Sequence, residues 1–447
     1  MNSGQQYVHM KRDERRLFTR RRFLGQTAAL GLGSGLLVPL LSSCGLSGGG
    51  TAAITFWNLF GGGDGERMVQ MQNVFKQQHP EVQLEAVTLQ WGGPYYTKLA
   101  MAAAGGRAPD VGIIHMSRLA TFAAGGLIDP FDPAELAKYG ITNDSFLPPV
   151  WANAHRNQKL YAIPLDTHPL VMFYNTDICG KAGLLDRNGR LKQLQGPEQM
   201  MDAIRAVKKV TGKYGLVMEA VGVNPWRLFV ALYSQLGGQI FSPDGTELIL
   251  DNAKAEQVVE FLTEVVAEGA YPSIDAAAAV AYFSNQKAGL LWNGEWEVTT
   301  FQNQKIPFDA TLFPNIFGNY HTWADSHAFV LPHQMAPDPQ RRAASLLFIS
   351  TMLKNSLIWA QGGHIPAYLG VANSAEYKNL VPQAHYAGAA ANLVLDPPAW
   401  FSGAASDMEN QAGAAFAAAM AKQLTPKQGV QQFRRSMEKL LRVPRPF

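Results

Sequence analysis

The sequence predicts an α/β protein of two doubly wound lobes joined by hinge crossovers, and three observations carry that expectation. The chain has 447 residues, too many for one hydrophobic core to serve. Apolar runs of strand character alternate with stretches of helical spacing on both sides of the middle. Between the two alternating halves lies 159–177, an extended stretch broken by polar residues.

The first half begins with an apolar run at 54–59, broken by Gly61-Gly-Gly-Asp-Gly65. Met68, Met71, Val74 and Phe75 then recur at helical spacing and predict a helix over 66–78. Alternation at Val82, Leu84 and Ala86 predicts a second strand. A helix is expected over 95–105, a buried strand over 108–115 and a helical turn over 119–124. The glycine loop lacks Gly-Lys-Ser/Thr and the third glycine of a dinucleotide fingerprint. It suits a tight turn, or a place where backbone approaches a ligand.

Within 159–177, the runs 160–165 and 170–174 read as strands. Asp166, Thr167, His168 and Pro169 between them are groups that a continuous core strand should not tolerate, and proline removes a ladder donor. The expectation is a hinge crossing between two bodies, with Asp166 facing the gap; an edge strand ending in an ordinary turn is the alternative. Beyond it, helices are expected over 197–210, 226–236, 253–268, 342–354 and 426–441. Short strands are expected at 214–217, 287–292 and 328–331, the last recrossing between lobes.

The net charge of +3 misleads. Residues 1–43 hold seven Lys/Arg against Asp13 and Glu14, which leaves the rest of the chain at −2. A nucleic-acid partner has no electrostatic support. Two cysteines, Cys44 and Cys179, exclude a cysteine-ligated metal cluster. Cys179 reads as a small buried apolar residue.

The basic start, the short apolar segment 28–41 diluted by glycine and the small residues after it make a secretory signal. It resembles a twin-arginine signal with Arg21 and Arg22 as the pair, Arg20 and Arg21 being the alternative. Leu41-Ser-Ser-Cys44 is similar to a bacterial lipoprotein signal, which implies that Cys44 becomes a lipidated N-terminus. The signal would then occupy 1–44, and 45–52 would be a flexible tether holding the body to the outer face of the cytoplasmic membrane.

The motifs of the body, taken together, resemble the extracellular solute-binding proteins of bacterial ABC importers, in the sugar-binding branch (family 1, maltose-binding-protein-like). They are Ile54-Thr-Phe-Trp-Asn58, Phe75-Lys-Gln-Gln-His-Pro-Glu-Val82, Lys159-Leu-Tyr-Ala-Ile-Pro164, Asn293-Gly-Glu-Trp296 and Gly362-Gly-His-Ile-Pro-Ala367. The resemblance implies the type II periplasmic-binding-protein fold, with 53–165 plus 326–378 in one lobe and 166–325 plus 379–447 in the other. It also implies a ligand in the cleft, hinge closure around it, ABC permease subunits as partners and a monomer with no cofactor.

A sugar presents C–H faces that stack on aromatic rings, and hydroxyls that need side chains able to donate and accept. The family's contacting loops, carried onto this chain, point to Trp57, Asn58, His115, Asp166, Trp226, Asn293, Trp296, His364 and Trp400. Trp91, Trp292 and Trp323 join them because each lies beside polar groups at the end of an element. Trp151 and Trp359 read as packing residues. A neutral di- or oligosaccharide fits this supply best, since Arg118 and Arg227 are the only obvious cleft-side cations. Open alternatives are a non-sugar or phosphorylated solute, and an extracellular glycoside hydrolase using two of Asp166, Glu295 and Glu297. No metal site is expected, because no His/Asp/Tyr cluster stands out in the sequence.

Overall fold

Strand Ala52–Asn58 buries alternate residues Ile54, Phe56 and Asn58, as a sheet with one covered face requires. It pairs in parallel with Val82–Thr88 on one side and Val111–His115 on the other. The computed structural model describes residues 52–269 and 274–445; Arg21, Arg22, Cys44 and the Gly/Ser tether lie outside the described residues. His327–Pro332 returns from far along the chain to pair antiparallel with Val111–His115, and Ile163–Pro164 pairs with it in turn. One hydrophobic core fills this lobe, with Phe348 at 5.0 Å from both Phe56 and Phe75.

Helix Gly62–Gln78 begins four residues earlier than the periodicity predicts. Its glycines do not break it. Gly65 N–H closes a first turn on Gly61 O at 3.0 Å, and Asp64 sits where exposed N–H groups favour an acid. Helix Gly93–Ala104 and the turn Leu119–Ala124 fall within two residues of expectation.

The second lobe is built on Asp166–Asn175, ten residues that are all buried. The expected interruption at 166–169 is absent, and the strand runs through Pro169. Its partners change along its length instead. Thr167 faces Ile365, Pro169 faces Ala324, and Val171 to Asn175 face Leu312 to Phe308. Pro169 therefore sits where one partner gives way to the next, and a missing donor there costs little. Ala288–Gly294 and then Tyr214–Met218 extend the other side. Leu170, Met172 and Tyr174 face one core and Val171 and Phe173 face another, so both sides of this sheet are covered.

Helices Asn252–Glu268 and Pro426–Leu441 match expectation because their caps are legible. Asp251 accepts from two N–H groups, and Thr425 and Gln428 form a reciprocal box. Helix Asp407–Met420 and strands Phe308–Leu312 and Thr322–Asp325 were not anticipated. The helix is too rich in alanine to show a period, and the strands are short. Cys179 is buried, with its thiol pushed up to about 12 by that burial. No helix among the described residues is long and apolar enough to cross a membrane.

Candidate functional site

The chain passes between the lobes at 165–168, 325–327 and 364–367, and these passages lie side by side. Leu165 N–H donates to His327 O at 2.8 Å and Ala367 N–H to Leu165 O at 3.2 Å. Above them opens a cavity of about 330 Å³ lined from both lobes. Leu59, Phe60, Gly61, Asp64, Trp91, His115 and His327 come from the first lobe's loops and strand ends. His168, Glu219, Val223, Arg227, Ala276, Asn293 and Trp296 face them from the second.

Four of the residues expected at the site line this cavity: Trp91, His115, Asn293 and Trp296. Asp166 and His364 lie immediately behind it, fully buried. Asn293 and Trp292 are neighbours on one strand and so point to opposite sides. Asn293 faces the cavity, whereas Trp292 packs in the core, 5.1 Å from Phe313. Trp226 and Trp323 stand one layer back, and both indoles donate to Asp396 Oδ1 at 3.0 Å. Asn58 Oδ1 accepts from Phe60 N–H and Thr88 Oγ1, each at 3.2 Å, and so shapes the glycine loop. Trp57 lies away from the cavity against the first core, with Lys98 over its ring at 5.2 Å. Trp400 is half-buried, and its carbonyl accepts from Thr121 Oγ1 of the opposite lobe at 2.6 Å.

Asp166 is the hub. Its Oδ1 accepts from the His327 backbone N–H at 2.8 Å and faces His168 Nδ1 at 3.2 Å. Its Oδ2 accepts from Trp359 Nε1 at 2.6 Å and faces His327 Nδ1 at 2.8 Å. Burial alone would raise this carboxyl, but His327 and His168 outweigh it and hold it well below the usual range. His168 is pushed down to about 3, first by burial and then by His327. Burial likewise drives His115 far below its ordinary value. It shares a 2.6 Å hydrogen bond with Tyr96.

His364 is the opposite case. Burial would lower it, yet Asp64, Asp166 and Glu295 hold it well above 6.5. Its Nε2 lies 2.9 Å from Asp64 Oδ1, and its ring stacks on Trp359 at 4.3 Å. On the far wall Arg227 lies over Trp323 at 4.5 Å, near Trp296 at 5.8 Å, with Glu409 Oε1 at 3.5 Å.

The sequence did not single out Phe60, Asp64, His168, Glu219 or His327 as contacts. Asp64 had a signal, because the glycine loop was read as a place where backbone nears a ligand. His168 and His327 had almost none, because they meet across about 160 residues of chain.

The model of a bacterial extracellular solute-binding protein matches residues 70–384, and the chain belongs to that family, whose members bind solutes rather than transform them. Over 221 residues it is 28% identical to the arabinooligosaccharide-binding protein of Bacillus subtilis (strain 168), covering 48% of each chain. Over 295 residues it is 24% identical to the maltotriose-binding protein of Pyrococcus abyssi (strain GE5 / Orsay), covering 63% of this chain and 59% of that one. The chain thus spans about half the length of the curated relatives it matches. Among solved structures, the GacH receptor of Streptomyces glaucescens superposes with a TM-score of 0.75 at 18% identity, over 88% of this chain and 98% of that one. The fold is the two-lobed, maltose-binding-protein-like type.

Proposed function

We propose that this protein is the capturing component of an ABC importer for a neutral di- or oligosaccharide. It would be exported through the twin-arginine pair Arg21 and Arg22, tethered through lipidated Cys44, and would act as a monomer that delivers its ligand to permease subunits. The observation that carries the reading is the cavity between lobes, with Trp91 and Trp296 as stacking faces and Asn293, His115 and Glu219 as hydroxyl partners. Glu219 is pushed up to about 7 by burial, so near neutrality it can both donate and accept. An anionic solute finds less support. Arg227 is shared with Glu409 and two indole faces, and Asp64 and Glu219 line the same space. The relatives named for arabinooligosaccharide and maltotriose binding agree with a glycan of several rings.

Intrinsic tryptophan fluorescence tests this directly. The protein is titrated with linear arabino-, malto- and manno-oligosaccharides and with a sugar phosphate. A saturable change with one neutral glycan, matched by a rise in melting temperature, is the expected result. A response confined to the phosphate would overturn the neutral assignment.

A further inference from the structure

All three passages between the lobes bring an imidazole to one point. Asp166 and His168 come from the first, His327 from the second and His364 from the third, and all four are at most 5% exposed. One nitrogen or carboxylate oxygen from each lies within 4.8 Å of every other. Tetrahedral zinc with bonds of about 2.0 Å sets its ligands on the order of 3.3 Å apart. His327 Nδ1 at 2.8 Å and His364 Nδ1 at 3.2 Å stand near that spacing from Asp166 Oδ2, with His168 Nδ1 at 3.2 Å from Oδ1, so separations of up to 4.8 Å would have to tighten around an ion.

A second observation points the same way. Glu295 is fully buried, 3.0 Å from His364 Nδ1. Its Oε2 has no hydrogen-bond partner among the described residues, and Oε1 meets only the His364 ring. Buried polar atoms are rarely left unsatisfied without a reason such as a bound ion. Around His364 the carboxyl groups of Asp64, Asp166 and Glu295 lie at 2.9, 3.2 and 3.0 Å, so oxygen donors crowd one ring.

We propose that Asp166, His168, His327 and His364 form a buried site for one divalent transition-metal ion of the zinc class, pinned where the lobes hinge. Three imidazoles and one carboxylate favour zinc, nickel, cobalt or copper over magnesium or calcium, which prefer all-oxygen shells. The ion would take the place of any proton shared between an imidazole and Asp166, so binding should release protons. Glu295, 3.0 Å from His364 Nδ1, stands beside the ion as a further oxygen donor or counter-charge. Because Asp166 and His168 enter one lobe and His327 the other, the metal fixes the floor of the cavity.

The protein, purified without an oligohistidine tag and stripped with EDTA, is titrated with Co²⁺ in the absence of any sugar. Calorimetry should give one ion per chain with proton release, and visible absorption should show the intense bands of four-coordinate cobalt, displaced by Zn²⁺. His168→Gln, His327→Gln and His364→Gln should each weaken binding at least tenfold. His333→Gln, altered at a surface pair with Asp129, should leave it unchanged. If a cluster variant fails to fold, X-ray absorption of the zinc-loaded parent decides, with imidazole scattering about 2.0–2.1 Å from the metal expected. Absence of stoichiometric binding, or binding without imidazole scattering, overturns the proposal. The sugar titration in EDTA is read separately, so either reading can fail alone.

Discussion

Gly294 ties one residue's lack of a side chain to the cavity's main aromatic face. Its backbone, at φ −77° and ψ 157°, is open to any residue. Space is the constraint: a Cβ there would lie 1.8 Å from Trp296 Cζ3 and 2.0 Å from Cη2. The ring cannot stay where it is if residue 294 gains a methyl. Gly294→Ala should therefore copy Trp296→Ala in the sugar titration, each weakening binding at least tenfold, or ~1.4 kcal/mol. Far-UV circular dichroism should remain that of the parent. A Gly294→Ala protein that binds the sugar as the parent does would show that Trp296 is not a stacking face.

The strand Asp166–Asn175 turns on how a buried charge is paid for by its surroundings. Asp166 gathers donors from 327 and 359 and faces rings at 168 and 364. Replacing it with asparagine removes the charge and places an amide N–H₂ against groups that themselves donate. Losing one partner of a buried, hydrogen-bonded charge costs about 3 kcal/mol or more, so urea unfolding of Asp166→Asn in EDTA should show a loss of that size. A loss under ~1 kcal/mol would mean that the surrounding imidazoles turn to meet the amide. The same strand shows what was legible in the sequence. The helices Asn252–Glu268 and Pro426–Leu441 could be read to within a residue or two, because their caps Asp251 and Thr425 act locally, whereas Gly62–Gln78 and Pro339–Lys354 begin three or four residues before their apolar periodicity. Asp166 was expected to face the gap, but it lies fully buried behind the cavity wall and lines none of it. Its tolerance inside a continuous strand could not be read, because apart from His168 the groups that meet it, at 327, 359 and 364, lie more than 150 residues away. Tryptophans were overcounted for a related reason. A strand sends neighbours to opposite faces, so Asn293 reaches the cavity and Trp292 does not, and composition cannot say which of a pair will.

Across the whole molecule, the cleft and its walls hold an unusual number of buried acids, and their protons couple the fold to pH. Burial pushes Glu219, Glu295 and Glu297 up to about 7, Asp325 to about 6 and Glu409 to about 8. Each holds its proton more tightly folded than unfolded. Its contribution is complete below its ordinary value, 4.5 for the glutamates and 3.8 for Asp325, and is lost as pH rises toward the folded value. His364, held well above 6.5 by its three carboxylates against the opposing effect of burial, adds stability that is present below 6.5 and lost as pH rises through its folded value. His168, at about 3, and His115, also depressed by burial, act in the other direction as their unfolded forms take up protons around and below 6.5. Asp166, held low, loses its contribution only in stronger acid. Between pH 6.5 and 8.5 the raised groups outnumber the depressed imidazoles among the described residues, so stability should fall with rising pH. Scanning calorimetry of the EDTA-treated protein at constant ionic strength should show the melting temperature decreasing across that window. Glu409→Gln, which keeps the shape and removes the proton, should flatten the part of the curve near pH 8. A melting temperature that holds or rises from 6.5 to 8.5 would mean that these carboxyls ionise freely, with water reaching them between the lobes.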